Sequence, residues 1–508
     1  MNRRAAGVAL LVLSLVPGVA QLYFNTFVDE ADNLAVGALV AHGAVLYRDV
    51  FSHHFPLAYW WAAAVFLLCG KSILAVRLSI LALDVAVFGL AIALTEFALP
   101  VGIAAVVWQT IAGLYYGNSL TYHTLAGVAL FGTFVGTLSV MVGTAPPTRA
   151  LAAFVAACGA VAVLANPLAG WALAICVVVL ATTQRGRGTG AIVAGAAGAA
   201  LLIAAAVLLG GGAWRAFVAD VVRFNADVYR RYLPIEPFPL GTAAVRAVTL
   251  LDVFDARWAN ADPFYLLTNR APDRWVFTGL FFRLAILGAT GAFLVRRRFH
   301  AAALLYCFAA MLLATPADER FPAIPLVLVG LFAGGWLASE LSGRTGAARA
   351  AAWTSRAVAA GVLAWIAVRG AGTLVANRAQ LSWDASFGRV ERTAATLRRA
   401  ACGRDAALGV YPAEPLLYFF SGMRAVAGYP FVYPWVAEVA LDRIVDALAH
   451  QDAVVAIDVG GSVWGYKNRD YLAPVIRAVQ SGYHQVATSV WVSPSVWEAC
   501  QRTPAGTR

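Results

Sequence analysis

Charge is scarce in this chain. Of its 508 residues only 13% are charged, where a soluble domain carries about 25%. That shortage excludes an ordinary water-soluble globule of this length. Several short motifs are missing too. There is no Walker loop, no convincing dinucleotide fingerprint and no Cys/His zinc spacing. No cofactor is expected, and the sequence does not support a divalent metal. Internal repeats and low-complexity tails are also absent. The net charge of +11 does not point to nucleic acid, because the basic residues cluster beside apolar runs. Arg3-Arg4, Arg185 with Arg187, Arg296-Arg297-Arg298 and Arg344 to Arg356 sit where the positive-inside rule expects them.

What is abundant is apolar. Hydrophobic residues make up 61% of the chain, and the mean hydropathy is +0.72. No soluble core of this size needs so much apolar surface, and a surface facing lipid allows only helices or closed barrels. The runs are not alternating and have the length of helices crossing a roughly 30 Å hydrocarbon layer. Twelve segments are expected, at 5–24, 56–70, 74–95, 99–117, 121–143, 149–165, 168–183, 188–210, 276–295, 299–316, 321–339 and 353–375. The first follows Arg3-Arg4 without a convincing cleavage site and reads as a retained helix.

The basic clusters place the N-terminus, 184–190, 296–300 and 340–356 in the cytoplasm. Residues 25–55, 211–275 and everything after about 376 then lie outside the plasma (inner) membrane. Such a chain crosses an odd number of times, so one of the short segments 56–70, 149–165 or 168–183 is miscounted, and 11 to 13 helices are expected. Asn166-Pro167 breaks a helical run there. The expected organisation is an all-α polytopic membrane domain over 1–375 and an extracytoplasmic α/β domain over 376–508. In the latter, Ala406 to Val410 and Ala453 to Asp458 have the pattern of short buried strands, and Val436 to Ala449 that of an amphipathic helix. Cys402 and Cys500 are its two cysteines. Outside the cytoplasm such a pair persists as a disulfide; two buried thiols are the alternative.

The chemistry concentrates between Asp29 and Trp60. Asp29 to His42 suits a short helix stopped by Gly43. On it Asp29, Asp32 and Asn33 share a face at i, i+3 and i+4, giving an amphipathic helix at the membrane surface with a carboxylate edge. Pro56 suits the first turn of the next helix. A solvated loop with Asp29 as N-cap is one reading. The other is a general base at the mouth of a membrane cavity. Glycosyl transfer needs a carboxylate to take the acceptor's hydroxyl proton and cations where the leaving phosphate gathers charge. Arg48, His53 and His54 lie in the same stretch.

These residues resemble the GT-C superfamily of lipid-dependent glycosyltransferases, in particular the branch of aminoarabinose transferases and protein O-mannosyltransferases. The likeness rests on Asp29-Glu30 after the first helix, on Gly43 with Tyr47-Arg48-Asp49, and on Pro56 to Trp60 with Tyr59. It spans about 35 residues. The resemblance implies Asp29 as the catalytic carboxylate, with Glu30, Asp32, Arg48, His53, His54 and Tyr59 around the substrate. His54 falls where relatives carry a Lys, and a His is a weaker, pH-dependent cation. Relatives also carry a second acid on a later helix, whereas Tyr115 to His123 has no carboxylate. Asn118 or His123 would take its place, or would simply be part of a polar loop. Arg320 is expected at the lipid phosphate, or else in an ion pair with Asp318 or Glu319. Arg230 is expected to guide an anionic head group or to face solvent. Asp84, mid-helix, is either functional or a structural hydrogen-bonding group.

The expected function is transfer of a sugar, with inversion, from a polyprenyl-phosphate donor to an extracytoplasmic glycan, lipid or protein acceptor. A transporter or lipid flippase is the alternative. It calls for paired intramembrane charges and two similar halves, and the chain has one clear mid-helix acid and no repeat. A non-catalytic scaffold leaves the acidic edge unexplained.

Overall fold

A computed structural model describes residues 2–24, 27–143, 147–232, 240–251, 277–314, 321–341 and 346–502. All twelve apolar segments form helices. In chain order the first nine helices are α1 (Arg3–Ala20), α2 (Val28–Ala41), α3 (Leu57–Cys69), α4 (Ile73–Leu94), α5 (Ala98–Ile111), α6 (Tyr122–Val142), α7 (Arg149–Ala165), α8 (Ala169–Ala181) and α9 (Arg187–Gly210). The later apolar helices are Phe277–Val295, Phe299–Ala314, Ile324–Glu340 and Gly346–Ala376. Among the described residues six helices are long and apolar enough to span a bilayer. The three suspect segments are among the shorter ones. At 1.5 Å per residue the 13 residues of α3 or α8 reach roughly 20 Å, short of the hydrocarbon thickness. The break at Asn166-Pro167 separates α7 from α8, and Asn166 Oδ1 accepts from the Leu168 N–H at 3.0 Å.

The chain divides into two compact units. The first comprises Met1–Asn25, Leu74–Ala204 and Ile235–Leu381. Its helices approach through small residues, as membrane helices do in the absence of a hydrophobic drive. A Cβ on Gly7 would lie 2.4 Å from the Ala98 carbonyl oxygen, and one on Gly102 would lie 2.8 Å from the Gly7 Cα, so α1 and α5 meet backbone to backbone. Arg77 of α4 is fully buried. Its guanidinium donates to the Leu22 carbonyl at 2.7 Å, just beyond the end of α1, where helix carbonyls lack intrahelical partners.

The second unit comprises Thr26–Ile73, Ala205–Pro234 and Ser382–Arg508. Its strands are β1 (Ala407–Tyr411), β2 (Ala453–Ile457), β3 (Ser462–Val463), β4 (Tyr466–Lys467), β5 (His484–Ala487) and β6 (Val490–Val492). One sheet runs β1-β2-β6-β5; β3 and β4 form a hairpin of their own. β1 lies parallel to β2, and the other pairs are antiparallel. Helix Pro434–His450 turns Val436, Ala440, Ile444 and Leu448 into the core with Val475 and Val479, the 3.6-residue stripe read from the sequence.

Cys402 and Cys500 are joined in a disulfide across 98 residues. Closing a loop of that length stabilises a fold by typically about 2–4 kcal/mol. Non-reducing peptide mapping is expected to recover the linked pair, and reduction to lower the thermal midpoint of the purified protein. Both cysteines alkylating freely without reductant would contradict the bridge.

Candidate functional site

α2 begins after Phe27, whose backbone is extended, with Asp29 and Glu30 in the first turn, where the helix dipole favours negative charge. Asp29 is therefore inside the helix and is not its N-cap. The helix stops at His42, and Gly43 follows with φ +96°, a left-handed position suited to glycine. The surface-lying amphipathic helix expected here is not what forms. Glu30 through Ala38 are all buried, because α3 and helix Pro415–Ser421 both pack on α2. The α3 contact is made at Gly37, where a Cβ would stand 2.4 Å from the Ala62 Cβ. Asp29 is only partly buried, so its carboxylate is the one on this turn that a substrate can reach.

The tight α2–α3 contact sets Tyr59 against Asp32. The phenol donates to Asp32 Oδ2 at 2.7 Å and lies 2.6 Å from the Ser52 hydroxyl. Asp32 is 5% exposed, and burial pushes its carboxyl from 3.8 up to about 7, against a lowering by the Tyr59 hydrogen bond. Its Oδ1 is buried without a hydrogen-bond partner among the described residues.

The loop from Gly43 to Pro56 is held at several points. Tyr47 has φ +68° and donates from its hydroxyl to the His54 carbonyl at 2.8 Å. Asp49 accepts from the Val45 N–H at 2.8 Å, and the Phe51 N–H donates to the Gly428 carbonyl at 2.9 Å. Arg48 makes two hydrogen bonds to Asp49, at 2.8 and 2.9 Å, and one to the Gly211 carbonyl at 3.2 Å. Its charge is thus matched by its neighbour. His53 is buried among Phe51, Phe224, Tyr229 and Phe431. Its carbonyl accepts from Asn225 at 2.8 Å. Burial holds the His53 imidazole well below its ordinary value, with His54 adding to the shift, and pushes that of His54 down to about 3. Both rings are therefore neutral at neutral pH. The positive charge expected of His54 is absent, because desolvation disfavours the imidazolium; a neutral ring still donates one hydrogen bond.

The other expected residues fall elsewhere. Asn118 and His123 belong to the first unit. Asn118 is buried and donates to the Gln21 and Phe24 carbonyls, both at 2.7 Å, fastening the chain that leaves α1. His123 is partly exposed and packs against Tyr122 at 4.0 Å. Asp84 accepts from Gln109 at 2.6 Å and from the Trp108 indole at 3.1 Å, which is the structural alternative foreseen for it. Arg230 is exposed, at the end of the helical turns Val218–Tyr229 that bury Val221 and Phe224. Arg320, with Asp318 and Glu319, lies outside the described residues.

Two residues near the carboxylates were not foreseen. Tyr433 stands where the negative charges of Asp29, Asp32 and Glu414, after burial, push its phenol up. Glu414 is partly buried at the head of helix Pro415–Ser421, and burial raises its carboxyl. Nothing in the spacing could reveal them, since they come roughly 400 residues after Asp29. Among the described residues no group of three His, Cys, Asp or Glu side chains is arranged to hold a metal. The second unit thus offers an accessible carboxylate beside a buried, high-pKa one, a pattern common where protons are moved.

No protein-family model and no curated protein matches the chain. Solved structures do. ArnT from Cupriavidus metallidurans bound to undecaprenyl phosphate superposes with a TM-score of 0.55 at 15% identity, over 96% of this chain and 98% of that one. The oligosaccharyltransferase AglB from Archaeoglobus fulgidus, in complex with an inhibitory peptide and a dolichol-phosphate, gives 0.51 at 12% identity, over 98% and 75%. An oligosaccharyltransferase from Archaeoglobus fulgidus tethered with an acceptor peptide gives 0.52 at 12% identity, over 97% and 74%. The chain has the GT-C fold: an all-α polytopic membrane protein with a small C-terminal α/β domain.

Proposed function

We propose that this GT-C chain is a membrane glycosyltransferase that moves a sugar from a polyprenyl-phosphate carrier to a hydroxyl acceptor on a glycan, lipid or protein. The observation that carries the reading is the partly buried Asp29 carboxylate in the first turn of α2, beside Asp32. Asp29 takes the acceptor hydroxyl proton as that oxygen bonds to the anomeric carbon. The bond from the anomeric carbon to the phosphate oxygen breaks, and its electron pair leaves with the polyprenyl phosphate. Attack opposite the leaving group inverts the anomeric centre. Neutral His54 supplies a hydrogen bond to the departing phosphate. Undecaprenyl phosphate in the ArnT structure and dolichol-phosphate in that of AglB support the carrier class.

The reaction belongs outside the cytoplasm, together with the C-terminal domain. Basic clusters beside the helices support that side, as does the disulfide, which persists in oxidising compartments. Mass spectrometry of envelope glycans in a deletion strain tests the reading. One glycan, glycolipid or glycoprotein should lose a single sugar mass while the sugar-loaded carrier accumulates. An unchanged envelope with unchanged carrier pools would sink it.

A further inference from the structure

The hairpin of β3 and β4 turns on Trp464 and Gly465, both left-handed, with φ +51° and +85°. Two-residue hairpin turns of this kind favour Asn-Gly. A Trp adopts that conformation at a cost, and here its indole is 55% exposed at the tip. Tyr466, the next residue after the turn, is 48% exposed. The two rings continue into a row. Trp464 packs on Trp435 at 5.1 Å, Trp435 on Tyr232 at 5.9 Å, and Tyr232 on Tyr466 at 5.7 Å.

Two polar features accompany the rings. Glu438 accepts from both Arg231 and the Tyr232 hydroxyl, which sets a fixed ion pair at the edge of the row. The Trp435 indole N–H is buried without a hydrogen-bond partner among the described residues. Trp435 is thus a core residue that backs the exposed rings from beneath. Exposed aromatic faces beside a carboxylate and a guanidinium match a pyranose ring. Its C–H faces pack on aromatics, and its rim is a ring of hydroxyls that both donate and accept. A bilayer surface would match the rings but would leave the ion pair without purpose.

We infer that Trp464, Tyr466 and Tyr232, backed by the buried Trp435 and flanked by Arg231 and Glu438, form a carbohydrate-binding platform, and that the acceptor of the transferase proposed above is a glycan. The acceptor role rests on that proposal; the binding of sugar does not. The platform holds an acceptor chain by its existing sugars and thereby selects glycans over bare lipids or peptides.

The test uses the full chain in lipid nanodiscs, probed on a printed array of soluble oligosaccharides and titrated with the best-bound one. Wild type should bind at least one pyranose oligosaccharide. Trp464→Asn removes the ring but suits the left-handed turn, so the hairpin should remain intact. It and Tyr466→Ser should each weaken binding by about tenfold or more, a change of the size expected for a central aromatic anchor. Wild-type affinity in both variants would overturn the platform, as would no binding by wild type. No glycan binding together with quenching of wild-type tryptophan fluorescence by brominated lipid, reduced in Trp464→Asn, would assign the rings to the bilayer instead. A wild type that binds glycan but uses no polyprenyl-phosphate sugar would keep the platform and remove the transferase.

Discussion

Asp29→Asn should fold, insert and bind donor lipid normally, yet transfer sugar at least about a hundredfold more slowly. The substitution preserves shape and removes the proton acceptor, and general-base help is typically worth about 10²–10⁴-fold. Access supports the choice of base. Near the start of α2, Glu30 and Asp32 are 1% and 5% exposed, while Asp29 is only partly buried. Glu30→Gln should change transfer much less, because i+1 points away from the Asp29 face. Transfer assays on purified variants with a polyprenyl-phosphate sugar decide the matter. Near-normal transfer by Asp29→Asn, with loss in Asp32→Asn or Glu30→Gln, would move the base to a neighbour. Near-normal transfer by all three would remove the main support for the glycosyltransferase.

Asp32→Asn should change how stability depends on pH. Asp32 titrates near 3.8 when unfolded and near 7 when folded, raised by burial. The folded state therefore binds the proton more tightly. Its contribution is fully present below about pH 4, is lost as pH rises toward 7, and changes no further above that. The span corresponds to something on the order of 4 kcal/mol. The stability of wild type relative to Asp32→Asn should fall by about that amount between pH 4 and pH 8. Asp220, also pushed up to about 7 by burial against a lowering by Arg443, adds a slope that both proteins share. The readout is the difference in unfolding midpoint across that range in detergent. Parallel curves for the two proteins would show that Asp32 is ionised in the fold like an ordinary carboxylate. The difference in slope is the appropriate measure because an Asn amide brings its own buried N–H to satisfy.

Much of this fold is written in local pattern. Each apolar segment is long and unbroken enough to declare a helix, and Asn166-Pro167 marks the break between α7 and α8. The short apolar runs of β1 and β2, and the apolar stripe of Pro434–His450, are equally local. α2 was legible as a helix ending at Gly43, but its surroundings were not. Its expected solvent edge is covered by Pro415–Ser421, a segment nearly 400 residues away. The charge states around it are also tertiary properties. His53 is neutral because Phe224 and Phe431 close over it, and no reading of the His53-His54 pair could reveal that. Arg48 is the opposite case, since the Asp49 that matches its charge is its neighbour in sequence. Glu414 and Tyr433 carry no motif, and only the fold brings them to the carboxylates.

That long separation also has a meaning during synthesis. Asp29 and Asp32 leave the ribosome before Tyr433, whose phenol feels both charges and which follows roughly 400 residues later. At about 5–20 residues per second the nascent chain holds its carboxylates for roughly 20–80 s before their covering segments exist. During that interval α2 lacks the cover of helix Pro415–Ser421, and a chain terminated early keeps it so. The finished surroundings of the carboxylates thus exist only once segments some 400 residues apart have both been made.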